Sequence, residues 1–521
     1  MARPSVLRPQ LGELGKARAC HDCRRRKVKC DYRMPTCLRC EKAAIACKGY
    51  QRDARFVNRT PGNPLTTMRG QSRNPPAAKG FDGDLHVLES YVRNPIGPPT
   101  PFRLHALEIL KKLYLPQPSQ ADISESSAFS WLPTVCALEG ESRALDHSLL
   151  TFCVIQVAIT KSGSASVDEA LQVYTDALQK LLEEIQDDRA GQSDELLATI
   201  SVLSTCELFV CPTDQAWRAH AQGISDILRI RSGIDASSPT WQSFCSRLRI
   251  LLLIEALLNS RTRSVTISDC RQLMSTSTEH DSFHELLDVA SEVPGLLEEL
   301  GLLMTGRKTV PEQQRASLFQ SSLAVLEKLY DRQQKYRAEK ARPLYWVMPS
   351  RVHNPADDAY ENKLFPFALQ FESLLTASQV IFAWGITLQT LCSMMNLYQH
   401  SFDHSIFSAS YDLPKAEHFA VLGPLWNTRF PTISSIKEEA DKLARYLCQS
   451  IEYCHKMENG TIGPQMTTYA QWILKSYFQQ FHCEHELSWC LNIKNMTGPG
   501  FRDGIELMGF HESEWPLSNF P

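Results

Sequence analysis

Six cysteines within twenty-eight residues define the chemistry available to this chain. They run Cys20-His-Asp-Cys23-Arg-Arg-Arg-Lys-Val-Lys-Cys30 and, after six intervening residues, Cys37-Leu-Arg-Cys40-Glu-Lys-Ala-Ala-Ile-Ala-Cys47. The spacing C-x2-C-x6-C occurs twice, and the second set repeats the first at an offset of seventeen. A structural zinc takes four ligands in a tetrahedron, and soft thiolates suit it. Six thiolates are two too many for one ion, but with two sulfurs bridging they fill the eight positions of two. The expected cofactor is therefore two Zn2+ ions in one cluster held by Cys20, Cys23, Cys30, Cys37, Cys40 and Cys47. So short a segment has almost no apolar core. Metal binding must supply most of its folding free energy, on the order of 10 kcal/mol per structural zinc.

Other thiol chemistries fit less well. A disulfide framework needs an oxidising compartment, and Met1 to Ala19 contains no apolar run that would serve as a signal peptide. A redox C-x2-C needs a βαβ context, which is absent around these residues. The eleven remaining cysteines are scattered singly, as suits buried thiols in a reducing compartment.

Charge is the second signal. From Lys16 to Arg59 there are fourteen Lys or Arg against four acids, a formal +10, whereas the whole chain is −3. Residues before Lys16 contribute +1, so everything after Arg59 carries −14. A small basic head on a large acidic body is expected where one module meets a polyanion and the rest does not.

Residues 20–47 resemble the Zn2Cys6 binuclear cluster domain of fungal transcription factors. The resemblance rests on the six cysteines, the basic run between the second and third, Lys27, Lys29, Cys30 and Asp31 as Lys-x-Lys-Cys-Asp, and Pro35 in the loop joining the halves. It implies that the first short helix enters the DNA major groove and that residues at its C-terminal end read a CGG triplet. Carried onto this chain, Lys27 is the main base reader, with Arg26 beside it. The chemistry agrees independently: guanine presents two acceptors, O6 and N7, to which a Lys or Arg is suited. Arg24, Arg25, Lys29, Arg39 and Lys42 read better as phosphate contacts, which position without specifying sequence. A nuclear localisation signal is a further reading of the same run, compatible with DNA binding. The resemblance thus implies a nuclear regulator of RNA polymerase II genes in a metabolic or secondary-metabolite pathway. Its partners would be double-stranded DNA at CGG-like sites, the transcriptional machinery and a second copy of the chain. Relatives often pair through a coiled coil after the cluster; no heptad run follows it here, which brings in a single CGG-like site as an alternative to the homodimer.

The elements that must carry this head are mostly α-helical. We expect a flexible leader at 1–15, the cluster at 16–50, a Pro/Gly-rich linker at 51–101 and an all-α body at 102–521, the last diffusely similar to the fungal-specific regulatory domain that commonly follows such clusters. The longest uninterrupted apolar run near the centre, Ile250 to Ile254, is too short for a bilayer span, so no membrane partner is expected. Ser166 and Glu169 form a capping box ahead of apolar positions 167, 171, 174, 178, 181 and 185, which predicts a helix with one buried stripe. Further helices are expected at 194–210 and 214–232, then at 241–260, 282–304 with an interruption at Pro294, 312–340, 368–399, 434–458 and 465–494. Loops are expected at 343–366 and 401–432, and sheet content should be low. In the 214–232 helix, Trp217, His220, Gly223 and Leu228 fall on one side, as in a packed seam where Gly223 admits a neighbouring helix.

No phosphate-binding glycine loop, Gly-x-Ser-x-Gly elbow or His-Glu-x-x-His helix occurs, so no enzyme is expected. His482-Cys-Glu-His485-Glu486 is dense in metal-binding side chains, but on a helix only His482 and Glu486 would share a face. The acidic, aromatic tail Phe510 to Phe520 suits recruitment of a partner or a frayed end. The alternative function is a zinc-stabilised protein-interaction cofactor that does not itself read DNA.

Overall fold

The computed structural model describes residues 20–31, 36–45, 47, 80–117, 127–187, 190–230, 239–259, 282–305, 312–401, 429–430 and 432–509. Pro35, the leader at 1–15 and the tail at 510–520 lie outside the described residues. The chain divides into two compact units, Met1–Pro75 and Pro76–Pro521.

The first unit contains two five-residue helices, α1 (His21–Arg25) and α2 (Leu38–Lys42). The buried residues described in it are Cys20, Cys23, Cys30, Cys37, Cys40 and Asp22, with Cys47 packed against the cysteines.

The second unit is helical. It opens with α3 (Asp82–Arg93), α4 (Thr100–Leu113), α5 (Ser127–Cys136), α6 (Arg143–Thr160) and α7 (Val167–Ile185). There follow α8 (Asp194–Val210), α9 (Gln215–Ile230), α10 (Pro239–Asn259), α11 (Ser282–Ala290), α12 (Val293–Thr305) and α13 (Glu312–Glu339). A two-stranded antiparallel ribbon, β1 (Tyr345–Pro349) and β2 (Phe367–Phe371), pairs Tyr345 with Phe371 and Val347 with Leu369. The chain then forms α14 (Leu374–Ser401), α15 (Ile433–Cys454), α16 (Ile462–Met466), α17 (Thr468–Gln480) and α18 (Glu484–Leu491). One apolar core runs from Leu85 to Met508.

Two helices organise that core. α6 is buried on nearly every face from Ala144 to Ala158, with α3, α4, α7 and α8 around it. α14 is its counterpart, surrounded by α13, α15, α17 and β2. By length and composition Leu374–Tyr398 could cross a membrane, yet 94% of its apolar window is buried inside the protein. A helix that is apolar all round belongs in the middle of a large core. The last part of the chain returns to the first: the backbone N–H groups of Thr461 and Ile462 donate to the carbonyls of Leu113 and Tyr114. Gly460, with φ +60°, makes this close approach possible, because a Cβ there would lie 2.2 Å from the Tyr114 carbonyl oxygen.

Several expectations hold to within a residue or two. The Ser166–Glu169 capping box is present, with Glu169 N–H donating to Ser166 Oγ at 3.2 Å and Ser166 N–H to Glu169 Oε2 at 2.8 Å. α8 spans 194–210 as expected, and the 282–304 segment breaks just before Pro294, which falls in the first turn of α12 where its missing N–H costs nothing.

Other expectations are corrected. The linker expected to reach residue 101 includes helix α3, whose Leu85, Leu88 and Val92 are buried against the body, so the body begins near residue 80. The segment expected as a loop at 343–366 supplies β1, and the helix expected from 368 begins at Leu374 after β2. On α7 the buried residues are Ala170, Tyr174, Ala177 and Leu181, while Val167, Leu171 and Ile185 are exposed. Small alanines let α6 approach closely, so the contact face turns away from the larger apolar side chains. Gly223 is not a point of close approach, since a Cβ there would meet nothing within 4 Å. Trp217 and Leu228 are buried as a packed seam requires, and His220 adds a polar contact: its Nε2 lies 3.0 Å from Glu207 Oε1, to which Tyr174 also donates, tying α7, α8 and α9 together.

Candidate metal centre and nucleic-acid interface

The six sulfurs fall into two overlapping groups. Cys20, Cys23, Cys30 and Cys37 form one and Cys20, Cys37, Cys40 and Cys47 the other, with all sulfurs of a group within 4.8 Å of one another. Cys20 and Cys37 belong to both. The sulfur of Cys20 lies 3.7 Å from those of Cys37 and Cys40, and Cys23 lies 3.5 Å from Cys37. A tetrahedron with metal–sulfur bonds of about 2.3 Å has edges of about 3.8 Å, so these separations fit four thiolates around each of two zinc ions. The donor chemistry points the same way. With no cation, burial and then the neighbouring thiols push Cys23 up to about 12, and burial raises Cys20 and Cys40 too. A divalent cation reverses this, because a coordinating thiol is deprotonated outright.

Local backbone structure places each sulfur. Cys37 is the N-cap of α2 and accepts from Cys40 N–H at 3.3 Å; Cys20 accepts from Cys23 N–H at 3.4 Å at the start of α1. Both shared sulfurs therefore receive a backbone hydrogen bond that favours the thiolate. Each helix ends in the same turn: Val28 N–H donates to the Cys23 carbonyl at 3.0 Å, and Ile45 N–H to the Cys40 carbonyl at 3.1 Å. The residue before each donor is left-handed, Lys27 at φ +54° and Ala44 at φ +52°. This is a Schellman-type stop with a non-glycine residue at the position glycine usually takes. Asp31 joins the halves, its carboxylate accepting from Leu38 N–H at 3.1 Å and Arg39 N–H at 3.3 Å.

The offset of seventeen is thus a backbone symmetry, and the side chains break it. Positions 24 to 27 read Arg-Arg-Arg-Lys, while their counterparts 41 to 44 read Glu-Lys-Ala-Ala. Arg25, Arg26, Lys27 and Lys29 are exposed, as are Arg39 and Lys42. The side chain of Arg24 lies outside the described residues. Arg25 pairs with the buried Asp22 at 3.2 Å. The sequence pattern identified the six cysteines but not which two are shared, nor the left-handed turn at Lys27. The repeat itself was the available signal, since Cys20 and Cys37 are equivalent under it.

The 482–486 residues do not form a helical face. α17 ends at Gln480, His482 is left-handed at φ +53°, and α18 begins at Glu484. His485 stacks on Tyr360, with ring centroids 3.5 Å apart.

A small unit whose interior is six convergent thiols and whose surface is cationic defines the class: a binuclear zinc-cluster module. Residues 18–55 match the fungal Zn(2)-Cys(6) binuclear cluster domain, a family that binds two zinc ions. The chain is 31% identical over 115 residues to the sorbicillinoid biosynthetic cluster transcription factor sor3 of Hypocrea jecorina (strain QM6a), a match covering 22% of this chain and 16% of that protein. It is 53% identical over 32 residues to white-opaque regulator 2 of Candida albicans (strain SC5314 / ATCC MYA-2876), covering 6% of this chain and 7% of that protein. The similarity therefore spans less than a fifth of either relative. No solved structure matches the chain.

Proposed function

We propose that this protein is a zinc-dependent, sequence-specific DNA-binding regulator of transcription that acts in the nucleus and is not an enzyme. Two zinc ions would be held by the six thiolates, Cys20 and Cys37 belonging to both groups, with Cys23 and Cys30 completing one and Cys40 and Cys47 the other. α1 enters the major groove, Lys27 and Arg26 donate to guanine O6 and N7 of a CGG-like triplet, and Arg24, Arg25, Lys29, Arg39 and Lys42 hold phosphates. The helical body regulates when the head acts and contacts the transcriptional machinery.

The observation that carries this reading is the broken symmetry. Two halves share one backbone design, yet only the first carries four consecutive cations, with Lys27 at the end of its helix. Had the basic residues served only to balance the cluster charge, both halves would carry them. The left-handed turn ends the helix at Lys27, which on this reading would direct its side chain to a base edge.

The test is a selection from random duplex DNA with the zinc-loaded full chain at a stated salt concentration, since non-specific affinity falls steeply with salt. Enrichment of CGG supports the reading, and one copy or two at fixed spacing decides between a single site and a homodimer. A folded, metal-bound protein that enriches nothing would instead be a zinc-stabilised interaction module.

A further inference from the structure

One cleft in the helical body lies where α11, α13, β1 and α14 meet, an open cavity of about 150 Å³. A cavity of about 150 Å³ admits a single aromatic ring, and the open side of the cleft leaves room for substituents. Its walls are apolar and aromatic: Tyr336 from α13, Tyr345 from β1 and Trp384 from α14, with Tyr345 and Trp384 edge to face at 5.2 Å. No described lining residue is acidic.

Two donors at this cleft have no side-chain partner among the described residues. Gln333 lines it, and its Nε2, shielded from solvent, finds no acceptor. A buried amide donor left unpaired is costly, and native structures rarely tolerate one without an external partner. Arg337 also lines the cleft, exposed and without an ion pair among the described residues, near enough to Tyr345 to lower that phenol's pKa against the larger effect of burial. Its neighbour Arg332 behaves differently, being held by Glu285 at 3.2 Å and by the Ser282 carbonyl. One arginine of the pair is structural; the other is idle.

We propose that this cleft binds a small aromatic anion. Its ring packs among Tyr336, Tyr345 and Trp384, its carboxylate, sulfonate or phenolate faces Arg337, and an acceptor on the ring takes the Gln333 amide, which turns outward to meet it. Aromatic walls favour offset or edge-to-face rings, and a guanidinium recognises a planar anion through two parallel hydrogen bonds. This goes beyond the DNA-reading proposal and does not depend on it.

The experiment titrates the zinc-loaded full chain with two fluorescent probes of the same ring system, 8-anilinonaphthalene-1-sulfonate and the uncharged N-phenyl-1-naphthylamine. We expect saturable one-site binding of the sulfonate. Arg337→Glu, an exposed substitution, should weaken it about tenfold or more while leaving the neutral probe unchanged, the loss expected for one charge-assisted contact. Gln333→Leu, which removes the unpaired donor, should retain the fold and weaken the sulfonate less than Arg337→Glu. Absence of saturable sulfonate binding by the folded chain overturns the proposal. So does an Arg337→Glu protein that binds the sulfonate like wild type, or that loses both probes equally. The assay contains no DNA, so failure here and failure of the DNA selection are read separately.

Discussion

The two units of this protein are stabilised by opposite means. Among its described residues, the N-terminal unit has two five-residue helices and an apolar cluster made of cysteines alone. The C-terminal unit contains a continuous apolar core in which α6 and α14 are surrounded by other helices. Isolated helices of five residues are unstable in water, so the first unit needs its metal to fold at all. The second has ample apolar surface to bury. A module that must present a few cations to a polyanion gains from this, because an interior of metal and thiolate leaves almost every other side chain on the surface.

Removing the metal should separate the two units most sharply. Chelation is expected to unfold the cluster, a loss on the order of 10 kcal/mol per zinc, while the thermal transition of the helical body stays where it was. Calorimetry with and without chelator measures both at once, and a cluster that keeps its fold metal-free contradicts the two-zinc site.

The geometry also ranks the cysteines. Cys20→Ser or Cys37→Ser removes a sulfur common to both groups and should cost both ions, whereas Cys30→Ser or Cys47→Ser should leave one zinc bound. Native mass spectrometry counts the ions, and equal loss in all four variants would remove the distinction between shared and unshared sulfurs.

A cut into the body should do the reverse. Trp131 is 1% exposed, with the Arg247 guanidinium 5.1 Å from its ring centre. Trp131→Ala should destabilise the body by about 3–5 kcal/mol in chemical denaturation and leave the zinc content at two.

Acid should weaken the body through a single buried group. His455 is enclosed and stacked on Phe501, and burial lowers its pKa from 6.5 to about 4. Because the folded value is the lower one, protons bind the unfolded chain preferentially. The contribution is whole above pH 6.5 and is lost as pH falls toward 4, about 2 kcal/mol between pH 7 and pH 5. Denaturation midpoints at the two pH values should converge in His455→Gln, and an unchanged slope would show that other groups control the acid limb.

The smallest effect tests the broken symmetry inside the cluster. Lys27 and Ala44 occupy equivalent left-handed positions, so glycine should suit either turn. Lys27→Gly should nonetheless lose about 1–3 kcal/mol of preference for the selected site over random duplex, and Ala44→Gly none. Equal behaviour of the two variants in a competition binding assay would mean that Lys27 reads no base.

Much of the site was legible because its information is local. Cysteine spacing, a basic run and a capping box each act within a few residues, so the metal type, the zinc number and the start of α7 follow from the chain read in order. Where burial decides, reading in order failed. The exposed flank of α7 and the open surroundings of Gly223 depend on which neighbour arrives, and the helical nature of 82–93 depends on the body against which Leu85 and Leu88 pack.

What the sequence determined by itself, then, is the chemistry of the head: six thiols in two equivalent sets, and cations on one set only. Tertiary structure decided which sulfurs are shared, because that depends on folding one half against the other through Asp31 and the two left-handed turns. It decided also that Leu374–Tyr398, long and apolar enough to cross a membrane, is a core helix, and that Gln333 and Arg337 have no side-chain partner among the described residues beside an aromatic cleft. Each of these is a statement about distances between residues far apart in the chain, which hydrophobic burial and hydrogen-bond pairing settle only when the whole core is assembled.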